Sequence, residues 1–412
     1  MRYRAYKLQC DGQRFIFIPD IKKIFTLGIS AFNKLPLAFD IEDETASVSS
    51  FPNTISTTPS TVLIITERCN LNCIYCYEGG VRKKANKPMM SEIALSAIDH
   101  SLTVAVNTKA QGTRLIFFGG EPTLEFKSMQ GVYDYYVNKS QTMNLTYRTG
   151  IATNGAFSST QRQWLAQNID FISFSLDGPP SVQDIHRSKS SKCVIDNAIG
   201  LHNSVATKLN FRSTVSNISV EKLPEITQWF ATTFPACRLH FEPLSPHTDN
   251  CSHLVPEPTM FFNKFLESLD VAEREHIKIK TSVSELKANS QAFCGAAGSN
   301  FVVSPNGEVV SCHRYALSPI IKKTVFWFGS YSTQKRRFMI NKKRRRALTS
   351  MKFNSIQYCQ DCFAASFCRG DCPAAKYATT PHDFSFKPSF RCQEIKEFIA
   401  KILARECKKI DN

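Results

Sequence analysis

Two periods of hydrophobic and polar positions run through the chain. Near the N-terminus apolar residues recur at every second position in "YRAYKLQC" (3–10) and "RFIFIPD" (14–20), with "DGQ" between them, which predicts two short strands joined by a turn. Residues 40–60, "DIEDETASVSSFPNTISTTPS", are polar, Ser/Thr/Pro-rich and aperiodic, and read as a linker. Beyond them six apolar runs return at intervals of roughly thirty to fifty residues: "TVLIIT", "RLIFFGG", "YRTGIATNG", "FISFSLDG", "LNFRSTVS" and "CRLHFEPLS". Between most of them apolar residues recur every third or fourth position, as in "SEIALSAIDHSLTVAV", "SSTQRQWLAQN" and "SVEKLPEITQWFATTF". Strands alternating with helices predict parallel βα units, closed into a barrel or left as an open sheet, with chemistry at the loops that follow the strands.

Composition narrows this picture. At 412 residues, 42% hydrophobic and 21% charged, the chain is long enough for two or three domains around a large core. It carries no basic n-region followed by an apolar h-region and no run approaching eighteen apolar residues, which places the expectation in the cytoplasm, without a membrane partner. In that compartment fifteen cysteines point to metal or redox chemistry rather than disulfides. The net charge of +16 is concentrated: residues 309–360 hold twelve Lys or Arg and no Asp or Glu. Such a tract is either a solvated helix face or an attractor for nucleic acid, acidic peptide or anionic membrane.

The chemistry-bearing stretch is "ERCNLNCIYCYEGG" (67–80), which follows directly on the first of the six strands and puts Cys69, Cys73 and Cys76 within eight residues. Three thiolates can hold three irons of a [4Fe–4S] cluster and leave the fourth iron open, whereas a structural zinc site wants a fourth ligand nearby. The C-x3-C-x2-C spacing, with Tyr75 just before the last Cys, resembles the signature of the radical S-adenosylmethionine (radical SAM) enzymes. The resemblance implies that the open iron binds SAM, whose reductive cleavage gives a 5′-deoxyadenosyl radical that takes hydrogen from substrate.

Further strand ends support it. "FFGGEP", with Gly119, Gly120, Glu121 and Pro122, resembles the family's GGEP motif at the SAM amino group; a Gly pair permits close backbone approach and Glu121 suits an ammonium. "SFSLDGP" resembles the family's S-[IL]-D-G-P motif and implies a SAM contact for Ser175. Arg187, ten residues beyond Asp177, fits the Arg of the related H-D-x-x-R pattern and is expected at the SAM carboxylate. Gln183 stands where that pattern has His. "ATNG" brings Asn154 to the cofactor side in the family, and otherwise reads as a turn. The implied fold is α/β: a partial (β/α)6 TIM-like barrel of radical SAM type.

The C-terminal third carries a second constellation. Cys294, Gly307 and Cys312, then Cys359, Cys362, Cys368 and Cys372 in "CQDCFAASFCRGDC", then Cys392, have the spacing of the SPASM domain, the auxiliary-cluster module of many radical SAM peptide and protein maturases. Read on spacing alone, the paired C-x2-C suits zinc as well. The resemblance implies one complete [4Fe–4S] cluster on Cys359, Cys362, Cys368 and Cys392, and another on Cys294, Cys312 and Cys372 alone. The sulfatase-maturing branch has a further Cys six residues before the first; position 288 here is Ala. Cys10, Cys193, Cys237, Cys251 and Cys407 remain, with Cys251 and then Cys237 as candidates for the missing ligand.

The expected organisation is an N-terminal β-hairpin module over 1–40, a candidate leader-peptide contact by β-augmentation, a linker over 41–60, the barrel over 61–250, a bridging region over 251–293, the SPASM domain over 294–395 and a C-terminal helix over 396–412. The implied activity is that of a radical SAM/SPASM maturase: with SAM, three [4Fe–4S] clusters and an electron donor such as flavodoxin or ferredoxin, it would modify a ribosomally made precursor peptide. Cross-link formation, C–C or thioether, leads; formylglycine formation and epimerisation are the enzymatic alternatives. Of another class is a zinc-containing nucleic-acid-binding protein that uses the 309–360 tract on phosphates; the barrel motifs would then have no purpose.

Overall fold

The computed structural model describes residues 2–42, 58–78, 88–245, 249–284, 290–349, 351–379 and 388–410. The expected N-terminal hairpin is there, as β1 (Arg2–Cys10) and β2 (Gln13–Ile18). Two more strands join it, β3 (Lys23–Thr26) and β4 (Ala38–Glu42), with the short helix α1 (Ile29–Lys34) between them. They form an antiparallel sheet in the order β3-β2-β1-β4.

The alternating segments form as their periodicity requires. The strands are β5 (Ser60–Thr66), β6 (Gly112–Gly119), β7 (Thr146–Thr153), β8 (Phe171–Ser175), β9 (Leu209–Val215), β10 (Arg238–Pro243) and the three-residue β11 (Lys278–Lys280). The helices are α2 (Ser91–Asn107), α3 (Phe126–Thr142), α4 (Ser159–Asn168), α5 (Pro180–His186), α6 (Ser191–Val205), α7 (Leu223–Thr233) and α8 (Pro258–Arg274). The strands β5 to β11 pair in parallel in chain order.

Alternation along each strand sorts its side chains into two layers. Leu115, Phe117, Ile151, Phe174, Phe211, Leu239 and Phe241 belong to one continuous buried core, and contacts such as Phe211 on Phe230 and Phe234 place that layer under the helices. Residues of the other parity, among them Ser175, Arg212 and His240, therefore line the opposite, helix-free face.

The C-terminal part extends the same sheet. β12 (Asn300–Val303) runs parallel beside β5, and β13 (Glu308–Val310), β14 (Trp327–Ser332) and β15 (Arg337–Ile340) continue it antiparallel, giving eleven strands among the described residues. Then come α9 (Lys342–Thr349), α10 (Ala365–Cys368), α11 (Pro373–Thr379) and α12 (Cys392–Ile410). The N-terminal sheet docks on this region rather than on the barrel: Phe17 meets Phe367 at a ring separation of 5.5 Å, Tyr6 meets Phe363 at 6.3 Å, and α12 lies across β1 and β2.

Much of the basic tract is absorbed by this packing. Arg344 lies over Trp327 and donates to the Lys322 carbonyl, Arg345 lies over Phe328, and Arg336 and Lys322 pair with Glu92 and Glu308. No helix of the described residues is long and apolar enough to cross a membrane.

Candidate active site

The three-thiol loop leaves β5 at the carboxyl end of the sheet, and neighbouring strand ends fix it. Gly120 N–H donates to Thr66 C=O at 3.0 Å and Glu121 N–H to Arg68 C=O at 2.8 Å. A Cβ on Gly119 would lie 2.4 Å from the Thr66 oxygen, one on Gly120 2.2 Å from the Arg68 oxygen, and Gly119 has φ +148°. The Gly pair therefore lets this strand end press against the start of the loop. From β7, Asn154 Nδ2 donates to Cys69 Sγ at 3.4 Å and to Asn70 Oδ1 at 2.9 Å. From the end of α5, His186 C=O accepts from Ile74 N–H at 3.0 Å, and Ser188 bonds both backbone groups of Asn72.

Two carboxylates organise what lies beneath. Glu121 is fully buried, and its oxygens accept from Thr123 N–H and Oγ, Thr153 Oγ and Asn154 N–H at 2.7 to 3.1 Å. Burial raises its pKa, against the pull of these donors. Glu121, expected at the SAM ammonium, ties the GGEP turn to the ATNG strand end through these hydroxyl and amide donors.

Asp177 is the second centre. It accepts a bidentate pair from Arg187, with Nε at 2.9 Å and Nη2 at 3.1 Å, and further bonds from the Tyr75 hydroxyl, His186 Nδ1 at 3.1 Å and Thr214 N–H at 2.9 Å. Burial works against its charge, yet Arg187 and His186 hold it well below the usual carboxylate range. Arg187, expected at the SAM carboxylate, directs Nε and Nη2 to Asp177, under the Tyr75 ring. Tyr75 itself is buried and points away from solvent into the same cluster. Gln183, in the place of the family's His, accepts from Asp177 N–H at 3.0 Å and donates to Ser190 Oγ at 3.1 Å, so an amide keeps this turn closed.

Ser175 stands half-buried on the helix-free face, opposite Arg212 in the strand register. Pro122 is buried and opens the short turn into α3.

At the other rim lie the remaining cysteines. Cys294, Cys312 and Cys372 are electrostatic neighbours: burial, then Cys294 and Cys372, push the Cys312 thiol up. Cys359, Cys362, Cys368 and Cys392 all line one pocket, together with Tyr358 and Asp371. Between Cys368 and Cys372 three consecutive residues, Arg369, Gly370 and Asp371, have φ of 52°, 83° and 61°, a left-handed turn that separates the two sets. Asp371 takes a bidentate bond from Arg391 at 2.7 and 3.0 Å, both buried. Arg314, two residues past Cys312, donates to Ser245 Oγ at 2.8 Å and joins the rims.

The donor sets suit iron–sulfur clusters. Among the described residues no three His, Cys, Asp or Glu side chains converge on a single metal ion; a four-iron cluster puts each thiolate on a different corner. Beside the first loop, Glu67 Oε2 is buried without a hydrogen-bond partner, an acceptor the polypeptide leaves unused.

Residues 63–218 match the model of the radical SAM superfamily, and residues 294–363 that of the SPASM iron–sulfur cluster-binding domain. The chain belongs to the radical SAM superfamily. It is 30% identical over 213 residues to an uncharacterized protein of Methanocaldococcus jannaschii, which covers 50% of this chain and 70% of that protein. Over 358 residues it is 22% identical to the cysteine-type anaerobic sulfatase-maturating enzyme of Clostridium novyi, covering 82% of this chain and 93% of that one. Among solved structures, anSMEcpe with bound AdoMet superimposes with TM-score 0.67 at 19% identity, over 86% of this chain and 100% of the other. Streptococcus suis SuiB bound to precursor peptide SuiA gives TM-score 0.55 at 12% identity, over 95% and 100%.

Two expectations for this radical SAM protein change. Cys251 packs with Tyr75 and Leu254 beside Cys73, so it belongs to the first thiol loop and not to the Cys294 set it was expected to complete. Cys237 is buried in the barrel core, where burial pushes its thiol up to about 12. Sequence reasoning also missed the hubs around Asp177 and Glu121. Their signal was present in the run of short polar residues at strand ends, but the partners lie 30 to 100 positions apart (Glu121 with Asn154, Tyr75 with Asp177).

Proposed function

We propose that this protein is a radical SAM/SPASM maturase, a peptide-modifying oxidoreductase that forms an intramolecular C–C or thioether cross-link in a ribosomally synthesised precursor peptide. The observation that carries it is the pairing, at opposite rims of one helix-free face, of a three-thiol loop pinned by the ends of β6, β7 and α5 with a second, cysteine-lined region. The full-length likeness to a sulfatase-maturating enzyme and to SuiB, solved with a precursor peptide, supports a peptide substrate. Ala288 in place of the eighth cysteine favours cross-linking over formylglycine formation.

In this reading Cys69, Cys73 and Cys76 hold one [4Fe–4S] cluster, Cys359, Cys362, Cys368 and Cys392 a second, and Cys294, Cys312 and Cys372 a third. When bound, the first cluster and SAM supply a 5′-deoxyadenosyl radical able to take a hydrogen atom. The chain's own residues then position and shield. Asn154 donates to Cys69, Gly119 and Gly120 bring backbone close to the loop, Pro122 fixes the turn that follows, and Ser175 offers its hydroxyl from β8. Glu121, Arg187 and Tyr75 act through Asn154 and Asp177, as positioning residues. A low-potential donor of the flavodoxin or ferredoxin class provides the electron.

The test is anaerobic reconstitution, with iron and sulfide counted per chain and 5′-deoxyadenosine measured from SAM and dithionite. About twelve irons and SAM cleavage are expected, the cleavage being lost in Cys69→Ala/Cys73→Ala/Cys76→Ala. Co-expression with short precursor peptides then separates the chemistries: loss of two hydrogens without a hydrazine-reactive aldehyde marks a cross-link, a hydrazine-reactive aldehyde marks formylglycine from Cys or Ser, and solvent deuterium at Cα without other change marks epimerisation. Zinc in place of iron, with no cleavage, would overturn the proposal.

A further inference from the structure

The carboxyl half of the half-barrel's helix-free face is mainly cationic. Among the described residues its strand positions carry Arg212, Arg238, Lys278 and Lys280 against a single carboxylate, Glu242, with Arg238 bonded to the Thr207 and Leu209 carbonyls; Arg114 and Arg148 stand farther off, at the amino ends of their strands. That carboxylate is already engaged: it accepts from Ser282 Oγ and lies 2.9 Å from His240 Nε2. Register places Ser175, Arg212, His240 and Lys280 side by side on four adjacent strands. One end of this row is Ser175, by the first thiol loop. Beyond the other, Glu242 sits within electrostatic reach of Cys294.

Arg212 is the cation at the middle of the path between the two thiol sets. It is exposed, and among the described residues its guanidinium has no hydrogen-bond or ion-pair partner. The cations beside the auxiliary thiols are occupied elsewhere, Arg391 with Asp371, Arg369 with the Ser282 carbonyl and Arg314 with Ser245. Arg212 acts on Glu242 and His240 only at a distance, without a hydrogen bond or ion pair to either; an exposed, planar bidentate donor on a mainly cationic surface selects carboxylates.

We propose that this face binds an acidic peptide segment, with Arg212 as its carboxylate anchor, so that the segment modified in the precursor is flanked by Asp or Glu. This rests on the reading of the protein as a peptide maturase and specifies the chemistry of its substrate.

The test uses reconstituted holoenzyme with SAM present and two fluorescein-labelled Gly/Ser peptides, one carrying Asp and Glu at alternate positions, the other Lys. Anisotropy should show salt-sensitive binding of the acidic peptide alone. Arg212→Gln should weaken it about tenfold or more, Lys280→Gln less, and Arg212→Lys should recover part of the loss. Lys342→Gln/Lys343→Gln, on the exposed tract, should leave binding unchanged. Equal binding of both peptides, an unaltered affinity in Arg212→Gln, or loss of binding in the tract variant would overturn the proposal. So would an Arg212→Gln protein that fails to bind radiolabelled SAM yet keeps its peptide affinity, because the anchored carboxylate would then be the cofactor's. Iron content and 5′-deoxyadenosine from the same preparations separate two failures: SAM cleavage without acidic-peptide binding overturns only this inference, whereas absent cleavage in the wild type overturns the maturase reading.

Discussion

The two cysteine-bearing rims are built on different principles. The first loop is held by polypeptide: backbone and amide hydrogen bonds from β6, β7 and the end of α5 grip it, over hubs at Glu121 and Asp177 that are buried. The second region, between Tyr358 and Thr379, consists of a three-residue turn of helix, the four-residue α10, a left-handed turn and the seven-residue α11. Helices that short do not hold themselves together; of its thiols Cys359 is buried and Cys362, Cys368 and Cys372 are half-buried, and the surrounding protein and Asp371 push Cys368 well up. The barrel loop is held by polypeptide contacts alone, whereas the short helices of the SPASM region are the part whose fold a bound ligand would stabilise most.

The largest effect expected from that contrast is on stability. Cys368→Ala should lose about four irons and unfold the C-terminal region, seen as a lowered thermal midpoint and rapid proteolysis within 351–379. Cys69→Ala/Cys73→Ala/Cys76→Ala should lose the same iron with little change in midpoint. Equal losses of stability in the two variants would break the comparison.

Asp177 tests the other half. Asp177→Asn leaves Arg187 buried without a counter-charge and should cost about 3–5 kcal/mol, read as a shift in the denaturation midpoint. The cost should be smaller in the double variant Asp177→Asn/Arg187→Met, which removes the stranded charge while the Asn carbonyl still accepts from the Tyr75 hydroxyl or Thr214 N–H. Additive losses would show that the pair is not the hub.

Gly120→Ala should act on the loop and not on the fold. Its Cβ would sit 2.2 Å from the Arg68 oxygen, so the loop must move away, and SAM cleavage should fall at least tenfold while circular dichroism stays unchanged. Full activity in this variant would mean that the Gly pair is not what seats the loop.

The same contrast explains how much could be read in advance. Six of the seven parallel strands were legible, because each is a short apolar run between turn residues, whereas the three-residue β11, "KIK", has no apolar run to show; the cysteine groupings of both rims stood out by spacing. What escaped reading depends on contacts distant in sequence. β12 joins the sheet beside β5 across 240 positions, from Ser60 to Asn300. β3 and β4 complete the N-terminal sheet although "KIFT" and "AFDIE" are too short to show a period. Arg187 was legible from its spacing, but its bidentate pairing with Asp177 was not, because a spacing pattern records that an Arg is wanted and not which carboxylate it meets.

The smallest and most specific prediction concerns Asn154, where polypeptide meets cluster directly. Its amide donates to Cys69 Sγ at 3.4 Å, and hydrogen bonds to a ligating sulfur stabilise the reduced, more negative cluster. Asn154→Ala removes that donor but leaves the Asn154 backbone N–H on Glu121. Iron content and thermal midpoint should therefore hold while the potential of the first cluster becomes more negative, measured by redox titration of its electron paramagnetic resonance signal with both auxiliary signals unshifted. Asn154→Asp should move it the same way, since a carboxylate cannot donate and adds charge. A potential that stays in place in both variants would mean the contact orients the loop without tuning it, and the barrel rim would then differ from the SPASM rim in rigidity alone.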